Sequence, residues 1–497
     1  MKYIIILCVI FSVTCCSAGD DKDKIQIRKA GVAGAFYPAD AEELKSMVNG
    51  FLKNVKQPKI DGQIMAIIAP HAGYIYSGHV AAEAYAQIVN KDFERVIVIS
   101  PSHTTGFNGV SVYQGDAYST PLGNIEVDKE FCKQLVEKCR ACKFSNEGHQ
   151  ANWQGRAEHA LEVQLPFMQV ALSQFKLVPL VMGSQDYQTC RELAYTLISL
   201  IANAKTLVVA SSDLSHFHPY EEAVLKDNKV TNAIEEWDYF NLSRNLAGRT
   251  WEACGGGPIV TAMIASENMG AVETHLLKYA NSGDVPAGDK SGVVGYAAFA
   301  IYKPAQTSIN NQQKSFSLTK EEQAELLKIA RQSVELAVNN NDRYDPGQVK
   351  SAKLEQDRGA FVTLKINGQL RGCIGYTAAT QPLKLTICDA AVSAALKDPR
   401  FNPVKEEELE HLEYEISVLS PFRKVLDINQ IEVGRHGLLI QNNSRSGLLL
   451  PQVPVEQGWD RAAFLAHTCL KAGLPADAWQ DEDSDLFMYT AFVFGEH

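Results

Sequence analysis

The stretch Ile64-Met65-Ala66-Ile67-Ile68-Ala69, followed at once by Pro70-His71, decides the fold. A short apolar run rich in β-branched residues reads as a strand buried on both faces. The same reading applies to Arg95-Val96-Ile97-Val98-Ile99-Ser100, ahead of His103, and to Thr206-Leu207-Val208-Val209-Ala210, ahead of Asp213 and His216. Helical stretches separate these runs, so the pattern predicts an α/β unit with a mainly parallel sheet. In such sheets ligands bind beyond the carboxyl ends of the strands, where His71, His103, Asp213 and His216 fall. Cys254 opens Cys254-Gly255-Gly256-Gly257-Pro258, just before an apolar helical run from Ile259 to Glu267. A helix start offers unpaired N–H groups and a positive dipole end, which favour thiolate over thiol.

Two neutral imidazoles and one anionic ligand on a rigid scaffold hold iron, copper or zinc with positions open to substrate. His71, His103 and Cys254 are the candidate metal ligands. His216, Asp213 and Glu158 are the candidate catalytic groups, with Asp213 fixing the His216 tautomer in an acid–base pair. Glu158 and Glu162 are four apart and are expected on one helix face. A lone histidine after a strand is commonly a capping or hydrogen-bonding residue, and His79 and His275 are assigned to that class.

Hydrophobic residues make up 46% and charged residues 21% of the 497-residue chain, as in an ordinary soluble globular protein of two or three domains. A net charge of −11, with no Lys/Arg-rich run, argues against nucleic acid as a partner. Residues 1–18 read as a signal peptide: Lys2, then the apolar run Ile4 to Val13, too short to span a bilayer. Cys16-Ser17-Ala18 fits ordinary cleavage, whereas Val13-Thr14-Cys15-Cys16 resembles a bacterial lipobox and would add a lipid anchor. Export is expected, to the periplasm or as a membrane-anchored lipoprotein. Cys132, Cys139 and Cys142 fall at helical spacing and are expected as buried small hydrophobes on one helix face; Cys139-x-x-Cys142 offers zinc or redox chemistry as the alternative, with no second pair at zinc-ribbon spacing.

Val293 to Tyr302 reads as the closing strand of the first unit, and 304–319 as a mobile polar linker. Thr319 with Glu322 three residues on forms a capping box that starts a helix. Phe361–Ile366 and Gln369–Ile374 flank Asn367-Gly368, a strong hairpin signal. A second hairpin turns at Asn442-Asn443-Ser444-Arg445, and helices at Leu383–Leu396 and Arg461–Lys471 complete an α+β pattern with antiparallel strands. Arg371 and Cys373 share one face of a strand, where they form either a second-domain site or a structural feature.

Several segments resemble the Memo family: Gly34-Ala35-Phe36-Tyr37-Pro38, Ala69-Pro70-His71-Ala72-Gly73-Tyr74, Ser100-Pro101-Ser102-His103, Glu158-His159-Ala160-Leu161-Glu162-Val163-Gln164-Leu165-Pro166 and Ser211-Ser212-Asp213-Leu214-Ser215-His216. The resemblance covers roughly 27–303. It implies the three-layer fold of the class III extradiol dioxygenases and iron or copper held by His71, His103 and Cys254. A thiolate in place of that group's carboxylate shifts preference toward copper, zinc or a differently tuned iron. Residues 320–497 resemble the AMMECR family at Leu370-Arg371-Gly372-Cys373-Ile374-Gly375, Asp398-Pro399-Arg400-Phe401-Asn402-Pro403-Val404, Ser417-Val418-Leu419-Ser420-Pro421 and Gly447-Leu448-Leu449-Leu450-Pro451-Gln452-Val453. Together the two units look like a fusion of two components of the AmmeMemoRadiSam system, which implies a radical S-adenosylmethionine protein as partner.

The expectation is thus a Memo-like metal-binding redox protein, an oxidoreductase in kind, with an AMMECR-like domain of unknown activity. Two alternatives stand beside it. One is an enzyme in which the metal activates O₂ or water against a small molecule. The other is a metal-free module whose pocket takes a peptide or partner.

Overall fold

The computed structural model describes residues 25–496 apart from 153, 202–204, 272, 287, 306–315, 444 and 482. The expected leader and most of the expected linker lie outside the described residues.

Four strands run parallel at the centre of a nine-stranded sheet, in the order Gly62–Ala69, Thr206–Ser211, Arg95–Pro101 and Lys176–Met182. Their apolar runs are almost wholly buried, as double-faced burial requires. The flanks depart from the expected mainly parallel sheet. Val293–Pro304 pairs antiparallel with Gly62–Ala69 and with Glu273–Asn281, and Val110–Val112 pairs antiparallel with Lys176–Met182. The sheet is therefore mixed. Among its described residues the connection from Asn281 to Val293 holds only a short 3₁₀ turn, too little for the helical crossover that a parallel pair needs.

Two further expectations are corrected here. The helix Lys129–Lys138 ends before Cys139, and Cys142 begins the strand Cys142–Phe144, so the three cysteines do not share a helix face. Cys139 and Cys142 instead form a disulfide across the turn between them, with Cα atoms 5.2 Å apart. Glu158 lies in a loop and Glu162 in the 3₁₀ turn Glu162–Gln164, and the two carboxylates face different partners.

In the second unit the local signals act as read. Thr319 caps the helix Lys320–Asn340 through a capping box with Glu322. Asn367 and Gly368 both take positive φ, 51° and 74°, and join Ala360–Ile366 to Gln369–Tyr376 in a tight hairpin. These strands belong to a seven-stranded antiparallel sheet, and the helix Leu383–Leu396 packs on its first hairpin.

The two units are joined by more than the chain connection. Phe240 of the first packs against Phe422 and Phe487 of the second, with ring centroids 5.8 and 4.9 Å apart. One apolar cluster runs from the first unit into Leu419, Phe422, Leu439, Phe487 and Tyr489. Around it Arg191 pairs with Asp485, Lys229 with Asp357 and Arg358 with Glu236. Two halves free to move on a linker is not the arrangement found.

Candidate metal centre

Each ligand-type residue sits where a strand or helix ends, and each is held by a partner far away in sequence. His71 follows the strand Gly62–Ala69 and is 1% exposed. Its backbone N–H donates to Asp213 Oδ1 at 2.8 Å. Its Nδ1 lies 2.8 Å from Ser211 Oγ, whose own hydrogen goes to the Ala160 carbonyl at 2.6 Å. Ser211 can then only accept from the ring, which makes Nδ1 the protonated nitrogen and leaves the Nε2 lone pair free. Nε2 faces Cys254 Sγ at 3.2 Å. Burial, and next the neighbouring His103, hold His71 well below the usual histidine range, so the ring is neutral.

His103 repeats the device with a carboxylate. Its Nδ1 lies 3.1 Å from Glu158 Oε1, which turns Nε2 outward as the lone-pair nitrogen. Glu158 is buried and also accepts from the backbone N–H groups of His103 at 2.6 Å, Thr104 at 3.1 Å and His159 at 3.1 Å. Burial acts to raise its pKa, but the hydrogen bonds and charge of His103, with the charge of His159, bring it down to about 2. The carboxylate is ionised and its lone pairs are already in use.

Cys254 comes just ahead of the helix Gly256–Asn268. Its Sγ accepts from the Asp213 N–H at 3.2 Å. Without a metal, burial and then the Asp213 charge push the thiol up, against the expected dipole-favoured thiolate. Desolvation of the sulfur outweighs the helix end. The glycines after Cys254 serve close approach: a Cβ on Gly255 would lie 2.1 Å from the Ser211 carbonyl oxygen. They bring the cysteine loop against the end of the strand Thr206–Ser211.

Ligand atoms of His71, His103 and Cys254 all lie within 4.8 Å of one another, and those of His103, Glu158 and His159 do the same. His159 was read in sequence only as part of a motif. In the structure its ring stacks on His103 with centroids 4.7 Å apart and lies tilted against Phe36 at 4.6 Å. Burial, then His71 and His103, push its pKa down to about 3. Its place beside Glu158 was the available signal, hidden because the loop has no strand or helix period. Ser211 and Gln164, which donates to Ser211 Oγ at 2.8 Å, were likewise unread.

Asp213 and His216 do not form the expected hydrogen-bonded pair. Asp213 turns its carboxylate to His71, and burial raises its pKa. His216 Nδ1 lies 2.9 Å from the Leu214 carbonyl, an acceptor that still fixes the ring with Nε2 as its lone-pair nitrogen. In the second unit Arg371 is clamped by Glu408 at 2.7 and 3.0 Å. Cys373 is half-buried, takes a hydrogen bond from Thr363 at 3.2 Å, and has its thiol pKa raised by burial.

The model of the Memo-like protein family matches residues 28–300, and that of AMMECR1 matches 327–494. A MEMO1 family protein of Methanopyrus kandleri is 39% identical over 285 residues, covering 55% of this chain and 98% of that protein. Another, from Methanobrevibacter smithii, is 38% identical over 289 residues, covering 56% of this chain and all of that one (100%). Among solved structures, an uncharacterized protein from Pyrococcus horikoshii is 42% identical, covering 35% of this chain and 90% of that chain, at a TM-score of 0.33. The chain belongs to the Memo family over its first unit and carries an AMMECR1 domain in its second.

Proposed function

We propose that the first unit, built as the three-layer dioxygenase-like architecture, is a metal-binding redox module whose ligands are His71, His103 and Cys254. The observation that carries this reading is that donor atoms of His71, His103 and Cys254 all lie within 4.8 Å of one another. Ser211 and Glu158 each hold the far nitrogen of an imidazole, so both remaining lone pairs are aimed before any metal arrives. The separation of 3.2 Å between His71 Nε2 and Cys254 Sγ suits two donors on one ion, since donors at ~2.0 and ~2.3 Å from a tetrahedral metal lie roughly 3.5 Å apart. The donor set of two imidazoles and a thiolate fits copper, iron or zinc. Iron or copper would supply one-electron chemistry there. Cys254 must lose its proton on binding, so affinity rises with pH. Glu158 serves to orient His103, its lone pairs being spent on N–H donors.

A second reading, an enzyme acting on a small substrate, is favoured by His216, whose Leu214 contact leaves Nε2 able to take a proton. Metal analysis of protein purified without chelator tests the first reading. Stoichiometric metal is expected in the wild type, lost in His71→Ala and Cys254→Ser and held 10–100-fold more weakly in Glu158→Gln, about the cost of losing an orienting partner. Full retention in Cys254→Ser with loss in Glu158→Gln would establish a two-histidine-one-carboxylate site instead. A wild type that binds no added metal leaves the metal-free binding module. Turnover of catechols, lost in His216→Ala with metal retained, would favour the enzyme.

A further inference from the structure

The loop that carries Cys254 is anchored on both sides, directly or through one helix, in the second unit. Upstream, the Trp251 indole N–H donates to Asp357 Oδ2 at 2.9 Å. Asp357 belongs to the second unit, its side chain is 2% exposed, and it also accepts from Lys229 Nζ at 3.0 Å. Six residues before Trp251, the buried Asn245 donates to the Ala379 carbonyl of the second unit at 3.0 Å. Asn245 Oδ1 in turn accepts from Thr250 Oγ1 at 2.7 Å, which ties this anchor to the start of the cysteine loop.

Downstream, Gln185 closes the loop. Its Nε2 donates to the Cys254 carbonyl at 2.9 Å, and its Oε1 accepts from the Gly257 N–H at 2.7 Å. One side chain thus staples both ends of the glycine turn. Gln185 lies two residues before the helix Tyr187–Leu200, next to its N-cap Asp186, and that helix packs along the one that follows Cys254. That first helix is fastened to the second unit at its amino end, where Tyr187 donates to Asp485 Oδ2 at 3.0 Å and Arg191 pairs with the same oxygen at 2.9 Å. Asp485 is buried and is also paired with Lys424. The partners that hold His71 and His103, namely Asp213, Ser211 and Glu158, lie in the first unit, and Asp213 also donates its N–H to Cys254 Sγ at 3.2 Å.

We propose that the second unit is a positioning element for the Cys254 sulfur, so that docking of the two units and binding of metal through the thiolate are coupled. This rests on the reading of Cys254 as a ligand. Both carboxylates are buried and held by further cations, Asp357 by Lys229 and Asp485 by Arg191 and Lys424, so they are fixed points to which Trp251 and Tyr187 tie the loop and its neighbouring helix. The two imidazoles are held by Ser211 and Glu158 of the first unit, so their geometry is expected to persist.

The test uses the full chain and Co(II) as the probe, because thiolate ligation adds a near-ultraviolet sulfur-to-cobalt charge-transfer band that histidines do not. Trp251→Phe and Tyr187→Phe each delete one N–H or O–H and keep the ring. In the double variant we expect Co(II) to bind at least about tenfold more weakly, the scale found for partners that orient ligands. The charge-transfer band should fall by more than half while the visible d–d bands of the bound ion persist at saturation. Unchanged affinity and an unchanged band in the double variant overturn the proposal. If the double variant does not fold, judged by circular dichroism, the two single variants are read by the same criteria. Failure of the underlying reading looks different: the wild type then lacks the band, or Cys254→Ser keeps it.

Discussion

The two units each place a cysteine beside charged or basic neighbours, yet they treat it in opposite ways. Around Cys254, donors on three separate elements turn lone pairs toward one another, with the positions of both imidazoles fixed from behind. Around Cys373, the charges cancel locally: Arg371 with Glu408, and Arg400 with Asp398. The side chain of Asp398 also accepts the Cys373 N–H at 2.8 Å. The difference teaches that residue type marks a candidate site less well than the direction of its unsatisfied atoms. A site is a place where the partners face outward and the lone pairs face in; a cluster whose charges face each other is a brace.

The largest expected effect sharpens that contrast in stability. Glu162 is fully buried and accepts from Arg28, from Tyr37 and from the Gly31 and Val32 N–H groups, pinning the opening segment beside the site. Glu162→Ala leaves the Arg28 guanidinium buried without its carboxylate, and a broken buried pair costs ~3–5 kcal/mol. The partly exposed Arg371–Glu408 pair is worth about 1 kcal/mol or less, so Arg371→Met should barely move the midpoint. Urea unfolding of both variants measures the gap. Equal losses would erase the distinction between the two regions.

A smaller effect concerns acid. Burial pushes His149 from an ordinary 6.5 down to about 3, against the opposing hydrogen bond to the Ser111 carbonyl. Between those values the unfolded chain takes up a proton that the folded chain refuses. Stability from this group is therefore full above pH 6.5 and is lost as pH falls toward 3. The slope approaches about 1.4 kcal/mol per pH unit at most. His149→Gln should flatten that limb in a series of melts, and an unaltered slope would assign it to other groups.

Local chemistry was legible in the sequence, and tertiary pairing was not. The Thr319 capping box and the Asn367-Gly368 turn act within a few residues, so neighbours alone determine them. His71, His103 and Cys254 could be picked out because strand ends and a helix start are marked by apolar periodicity. The partners that aim them were hidden by distance: Glu158 lies 55 residues from His103, and Asp213 lies 142 from the histidine it serves. Proximity in sequence suggested His216 for Asp213, and the fold chose His71. Nothing in the sequence marks Phe240 as facing Phe422 and Phe487, because nothing local distinguishes a core from an interface between two cores. The antiparallel flanks of the first sheet escaped for a related reason: an apolar run shows burial without strand direction.

The central claim is that the thiolate of Cys254 completes a site begun by His71 and His103. X-ray absorption at the edge of the bound metal tests it most directly, since sulfur and nitrogen scatterers separate by distance. The account predicts a single sulfur shell at about 2.3 Å beside imidazole nitrogens at about 2.0 Å, with the sulfur lost in Cys254→Ser and kept in Cys373→Ser. A shell of nitrogen and oxygen alone in the wild type would contradict it.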